Sequence, residues 1–319
     1  MWQVAWAVAL AAVLCLSLSG SAQRADLCPD GCKCYRDWLN CSYAGLAAPP
    51  GGPWPAIDTL WFAGNALAAV GDAFFAQLPA LRNVYLDENL LPSLDLAAFA
   101  QVDALRKLRI RDNLIAEILA PPAGVQFDAL IELDLTNNSL ATIDAGAFLP
   151  FPVLTTLYLN DNPLTFPEGR PLLAHPQLAY LYAARTRAEA LSAETFRDTP
   201  NLYELSLTGS GVPRLAGAFR HLHSLAYLYL QDNVVTAVDE EQLPAGGRLR
   251  WLDVSRNTLV RLRPTALQDA LHAGYVYISD TPLACACAFE DLYRWAKEDK
   301  TWLTAYCGGA YDFCDFHKA

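Results

Sequence analysis

Apolar residues return along this chain in a fixed rhythm. The first position of the rhythm falls at Ile57, Leu81, Leu105, Leu130, Leu154, Leu178, Leu202, Leu225, Leu249 and Ala273. Seven of the nine intervals are 24 residues, one is 25 and one is 23. Each return opens the same phrase: apolar, two variable, apolar, one variable, apolar, two variable, then usually Asn. The run Leu130 to Leu140 shows it cleanly, with Leu133, Leu135 and Asn138 in their slots. A period of this length marks stacked copies of one supersecondary unit, none of which can bury its apolar face alone.

Within the phrase, positions four and six alternate as in a short strand with one buried face. Leu60 with Phe62, Leu157 with Leu159 and Val276 with Ile278 are three of the ten pairs. Successive copies are expected to pair in parallel at about 4.8 Å, giving ten strands and an arc on the order of 45 Å. After each strand the chain must turn inward, which buries backbone groups that need partners. Asn65, Asn89, Asn113, Asn138, Asn162, Asn233 and Asn257 can supply them. Thr186, Ser210 and Thr281 replace the amide in the remaining copies. Phe74, Phe99, Phe127, Phe148, Phe196 and Phe219 recur in the second half of the units and are expected to fill the outer side of the core. Pro and Ala nearby predict short turns or single helical turns there.

Composition changes the picture at both ends of the chain. Residues 1–22 carry no charged side chain, are apolar from about Val4 to Leu18 and end in small residues. They read as a secretory signal peptide, too short for a comfortable membrane span. No later apolar stretch is long enough to span, so membrane insertion is not expected and localisation reads as secreted, in the extracellular space or matrix. Eight cysteines remain after Cys15, grouped as Cys28, Cys32, Cys34, Cys41 and as Cys285, Cys287, Cys307, Cys314. In a secreted chain an even number grouped this way reads as disulfides. The spacing lacks the paired CxxC that zinc commonly uses. Sequence alone allows three pairings in each group.

The repeats together with these groups resemble the extracellular leucine-rich-repeat proteins closed by cysteine-rich caps, of the Slit and Nogo-receptor-like class. Cys28-x3-Cys32-x-Cys34-x6-Cys41 is similar to the N-terminal cap of that class. Pro282, Leu283, Cys285 and Cys287, followed by Leu292 and Trp295, resemble the opening of its C-terminal cap. The resemblance implies an α/β solenoid, a horseshoe whose concave side carries the strands. It implies the pairs Cys28–Cys34, Cys32–Cys41, Cys285–Cys307 and Cys287–Cys314. On this reading residues 23–56 form the N-terminal cap, 57–280 the repeats and 281–319 the C-terminal cap. Two departures stand out: only six residues separate Cys307 from Cys314, and the copies at Leu178 and Leu202 are degenerate, with Ala183, Thr186 and Gly209-Ser210-Gly211 in key columns.

Positions three and five of each phrase point outward from the strands. Ten of these twenty slots hold Tyr or Trp, against an aromatic content of 11% for the chain. Tyr158, Tyr180, Tyr182, Tyr227, Tyr229, Trp251, Tyr275 and Tyr277 form the densest stretch. Neighbouring rings would stack along the sheet in any case, but such concentration on an exposed face is typical of binding surfaces. These eight residues are therefore the expected contact for an extracellular protein or glycan ligand, in adhesion, matrix organisation or guidance. Recognition of a microbial glycan or lipid is the alternative, and two copies could also pair through the same face.

Basic residues cluster at Arg106, Lys107, Arg109 and Arg111 and again at Arg248, Arg250, Arg256, Arg261 and Arg263, each beside acidic residues. Cross-strand ion pairs account for them. A net charge of -11 argues against nucleic acid, whose binding rests on phosphate neutralisation. The five histidines are scattered, and no catalytic motif, metal set or cofactor loop is visible. Two glycosylation sequons occur, at Asn40 and Asn137.

Overall fold

The structure, a computed structural model, describes residues 28–307 apart from Pro53, Glu241, Cys287 and Ala288. The segment read as a signal peptide and the expected Cys287–Cys314 bridge lie outside the described residues.

One 13-stranded sheet runs the length of the molecule. Ten of its strands come from the repeats, from Thr59–Trp61 to Leu271–Tyr277. Each pairs in parallel with the next, so position four stacks on position four: Leu60 on Val84, Val84 on Leu108, and so on to Leu252 on Val276. All ten of these residues are at most 2% exposed. Each such side chain contributes about 1.5–3 kcal/mol by leaving water. The column extends into both ends, through Leu39 of the strand Trp38–Asn40 and Leu303 of the strand Trp302–Thr304.

The Asn column does what the turn requires. Asn162 accepts from the Leu140 N–H through Oδ1 and donates from Nδ2 to the carbonyls of Leu135 and Leu159. Asn89, Asn138 and Asn257 repeat that geometry, and Asn113 makes the same cross-turn bonds to the Leu91 N–H and the Leu86 carbonyl. In the degenerate copies the hydroxyls do less: Thr186 donates to the Ala183 carbonyl, and Ser210 donates to the same oxygen. Position eight, just before the Asn, turns the chain by taking a left-handed φ in all ten copies, from Gly64 to Asp280. Gly, Asp or Asn fills seven of the ten, the residues that tolerate this region best.

The convex side is irregular, as expected. A helical turn at Asp72–Phe75, a 3-10 turn at Leu96–Phe99 and two small strand pairs carry the chain back. Phe74, Phe99, Phe127, Phe148, Phe196 and Phe219 are all buried. Phe196 stacks on Phe219 at 5.9 Å between ring centres, linking neighbouring turns.

The last copy departs from the expected register. Ala273 is exposed with φ +51°, and Leu271 occupies the buried opening slot against Leu249. Two extra residues bulge out before Tyr275 resumes the pairing with Trp251. Gly274 is required there, because a Cβ would lie 2.7 Å from the Arg250 carbonyl oxygen. Ala273, small and apolar, satisfied the 24-residue count without holding the position that the count implies.

Both ends of the sheet are closed. At the N-terminal end the hairpin of Lys33–Cys34 and Trp38–Asn40 is tied by Cys28–Cys34 and Cys32–Cys41. At the other end Cys285–Cys307 joins the short helix Pro282–Cys285 to the segment after the last strand. The helix Glu290–Asp299 lays Leu292 and Ala296 over the exposed end of the core. Such closure is what a solenoid needs, since its terminal units present a cut core and open strand edges.

Candidate binding surface

The eight aromatic residues singled out from the sequence all lie on the concave face, because positions three and five alternate with the buried position four. Their strands are neighbours in the sheet except where Glu204–Ser206 intervenes between Tyr180–Tyr182 and Tyr227–Tyr229, so the rings come together in groups. Tyr158 stacks on Tyr182 at 4.7 Å, with planes 8° apart. Trp251 packs on Tyr229, Tyr275 and Tyr277 at 6.3, 5.6 and 4.6 Å. Tyr180 and Tyr227 do not touch each other directly. Tyr203 sits between them, with centroids 6.0 and 5.5 Å away.

Two members of this surface escaped the sequence reading. Tyr203 occupies position two, a slot without an outward rule, and Trp302 belongs to the C-terminal cap. Trp302 is 68% exposed and extends the tract by stacking on Tyr275. A search for aromatics one strand beyond the last repeat would have found it.

Three carboxylates or small residues interrupt the rings. Glu204 lies between Tyr180 and Tyr227 as their cross-strand partner, and Ser206 lies between Tyr182 and Tyr229. Asp253 follows between Tyr229 and Tyr277. The Tyr182 hydroxyl donates to Glu204 Oε1 at 3.0 Å. Burial, then that hydrogen bond and the adjoining charge, push the Tyr182 hydroxyl well above the ordinary tyrosine range. Burial raises Tyr158, Tyr229 and Tyr277 as well, with nearby carboxylates adding to it. Asp253 accepts from the backbone and hydroxyl of Ser255. Among the described residues, neither Glu204 nor Asp253 has a cationic side chain within 4 Å.

The N-terminal half of the same face is different. Trp38, Trp61 and Tyr85 form a shorter ladder, capped by the Arg109 guanidinium 4.7 Å over the Tyr85 ring. Beyond it the charges neutralise one another. Lys107 pairs with Glu132 at 2.8 Å, Arg109 with Asp87 and Arg111 with Asp134 at 2.5 Å. Asp134 is 1% exposed and also accepts from the Thr136 N–H. The second basic cluster is paired in the same way, Arg256 with Asp232 and Arg261 with Asp239, which holds both aspartates below the usual carboxylate range. Ion pairs thus account for Lys107, Arg109, Arg111, Arg256 and Arg261, while Arg106, Arg248 and Arg250 have no carboxylate within 4 Å among the described residues.

The sequons sit differently. Asn137 is exposed at a position-eight turn, and its Nδ2 donates to Asp112 at 2.6 Å. Asn40 is half-buried beside the fully buried Cys41, with its Oδ1 accepting from the Ser42 N–H.

Comparison with known proteins agrees with this architecture. A leucine rich repeat family model matches residues 56–115, 121–164 and 176–235, just over half of the chain. The chain belongs to the leucine rich repeat family. It is 27% identical over 313 residues to the rat leucine-rich repeat transmembrane protein FLRT2, covering 89% of this chain and 46% of that protein. It is 31% identical over 154 residues to mouse podocan, which covers 45% of this chain and 24% of podocan. This chain thus spans less than half the length of either relative. A solved octameric complex of latrophilin 3, Unc5D and the repeat domain of FLRT2 contains a chain that superposes with a TM-score of 0.68. That match covers 89% of this chain and 94% of the other at 22% identity. Among the described residues no helix is long and apolar enough to cross a membrane. Disulfides at both ends suit an oxidising, extracellular location.

Proposed function

We propose that this domain captures an extracellular protein through the C-terminal half of its concave sheet, in adhesion, matrix organisation or guidance signalling. One observation carries the reading: ten rings from Tyr158 to Trp302 line this half of the face in three touching groups, among carboxylates without a cationic partner. Large rigid rings with polar tips are the usual anchors of protein recognition. The FLRT2 repeat domain, similar in fold, is found in an assembly with two other proteins, which supports a protein partner here. No catalytic role enters this account. The alternative, recognition of a microbial glycan or lipid, would use the same exposed rings.

Secretion after removal of residues 1–22 belongs to the same proposal. So do caps of the Slit and Nogo-receptor-like kind, supported by the cap pairings Cys28–Cys34, Cys32–Cys41 and Cys285–Cys307. A glycan on exposed Asn137 would sit beside the charge-paired strands and leave the later repeats open to ligand. The test is capture of partner from extracellular fluid or cell surfaces by a variant with alanine at Tyr182, Tyr229 and Trp251. Lost capture with unchanged thermal unfolding supports the assignment, and unaltered capture refutes it.

A further inference from the structure

The interruption of the aromatic surface at the strand Glu204–Ser206 is itself a site. Position five places a ring on each side of it, and Ser206 between them is small and lies buried at the floor between the two rings. Tyr182 and Tyr229 stand two strands apart, about 9.6 Å by strand spacing and somewhat less on the converging concave side. A flat group in van der Waals contact with both rings needs about 7 Å. At the same level of the sheet Glu204 is ringed by Tyr180, Tyr182, Tyr203 and Tyr227. Its Oε1 accepts from the Tyr182 hydroxyl, while its Oε2 makes no hydrogen bond among the described residues.

The contrast with the rest of the face identifies what fits. In the first four repeats a Lys or Arg already pairs with each of Asp87, Glu132 and Asp134, while Glu88 and Asp112 at the turns bond to the Tyr43 hydroxyl and the Asn137 amide. Glu204 has no cationic partner among the described residues, and the rings beside it carry their negative faces. A planar cation satisfies both features, because it stacks on aromatic rings and offers paired N–H donors to a carboxylate. The Arg109 guanidinium over Tyr85, paired with Asp87, is the same arrangement made within the chain.

We propose that the notch of Tyr182, Glu204, Ser206 and Tyr229 receives an arginine side chain of the protein ligand. This rests on the concave-face reading above and names the chemistry that the partner must bring. The probe is N-acetyl-arginine methylamide, titrated into the whole domain while ring signals of Tyr182 and Tyr229 are followed by NMR. Arginine is expected to shift both rings saturably, with the lysine analogue roughly tenfold weaker and the neutral citrulline analogue inert. Glu204→Gln, which alters no packing, is expected to weaken the arginine probe by roughly tenfold or more. Ser206→Tyr should fill the notch and abolish the shifts.

Equal binding of citrulline or lysine, or shifts unaffected by Glu204→Gln, overturns the proposal, and so do shifts confined to other tyrosines. Glu204→Gln decides the matter even if Ser206→Tyr fails to fold. Its failure is separable from that of the broader reading. Partner capture lost in the triple alanine variant but unchanged in Glu204→Gln leaves the surface standing and removes the arginine.

Discussion

The two halves of the concave sheet share one backbone and use it differently. From Thr59 to Asp134 the outward slots mix rings with Lys107, Arg109, Glu132 and Asp134, whose charges pair across strands. From Thr156 onward the slots hold rings, Thr156, Ser206 and two carboxylates with no cationic group within 4 Å among the described residues. The turns differ too. The first half is stitched by an unbroken column of Asn amides, and the second contains the hydroxyl substitutes Thr186 and Ser210. A repeat protein must satisfy its buried groups in every copy. What it leaves without a counter-ion on the strands themselves is therefore informative, and there the carboxylates lacking one, Glu204 and Asp253, lie in the later half.

The largest expected effect separates the turns. Asn138→Ala removes the acceptor for the Ile115 N–H and the donor for the buried carbonyls of Ile110 and Leu135. It should cost about 3 kcal/mol, since each orphaned buried group costs about 1–3 kcal/mol. Thr186→Ala should cost about 1 kcal/mol by the same reasoning, as its hydroxyl serves one carbonyl. Denaturant unfolding of both variants measures the gap, and equal losses would show that the hydroxyl copies are stitched as firmly as the amide ones.

The charges give the next contrast. Arg111→Ala leaves Asp134 buried without its counter-ion and should destabilise by about 2 kcal/mol. Glu204→Gln should change stability by less than about 0.5 kcal/mol, because nothing in the fold depends on its charge. If Glu204→Gln proves as costly as Arg111→Ala, the distinction between structural and free carboxylates is wrong.

A smaller effect concerns alkaline pH. Tyr158, Tyr182, Tyr229 and Tyr277 hold their protons above the ordinary value of 10.0. The folded state favours their neutral form, so this stabilisation is complete below about pH 10 and fades as pH rises through the folded values. Ultraviolet titration of tyrosinate should show a late-ionising group of residues. Glu204→Gln should bring Tyr182 forward and leave Tyr158 in place, and an unmoved Tyr182 would deny the Tyr182–Glu204 contact its part in the shift.

Much of this was readable in the chain itself. Period and alternation placed Leu157, Leu181 and Leu205 in one column, because a strand of three residues offers no second way to bury them. The Asn column and the paired basic clusters followed from the need to satisfy buried amides and adjacent charges. The bulge at Ala273 was hidden, because spacing reports residues per turn and not which of them faces inward. Tyr203 and Trp302 were missed for a related reason: the outward rule covers repeat slots, and these rings reach the surface from the side and from the cap. The free state of Glu204 is a property of its neighbours on other strands, which no single phrase displays.

The central claim is that ligand contact belongs to the later repeats and not to the earlier ones. It is tested most directly by comparing partner capture in two variants of the whole protein at matched thermal stability. One carries alanine at Tyr182, Tyr229 and Trp251, the other alanine at Trp61 and Tyr85. The account predicts that capture falls about a hundredfold or more in the first, as for a cluster of central anchors, and changes little in the second. Equal loss in both, or greater loss in the second, would contradict it.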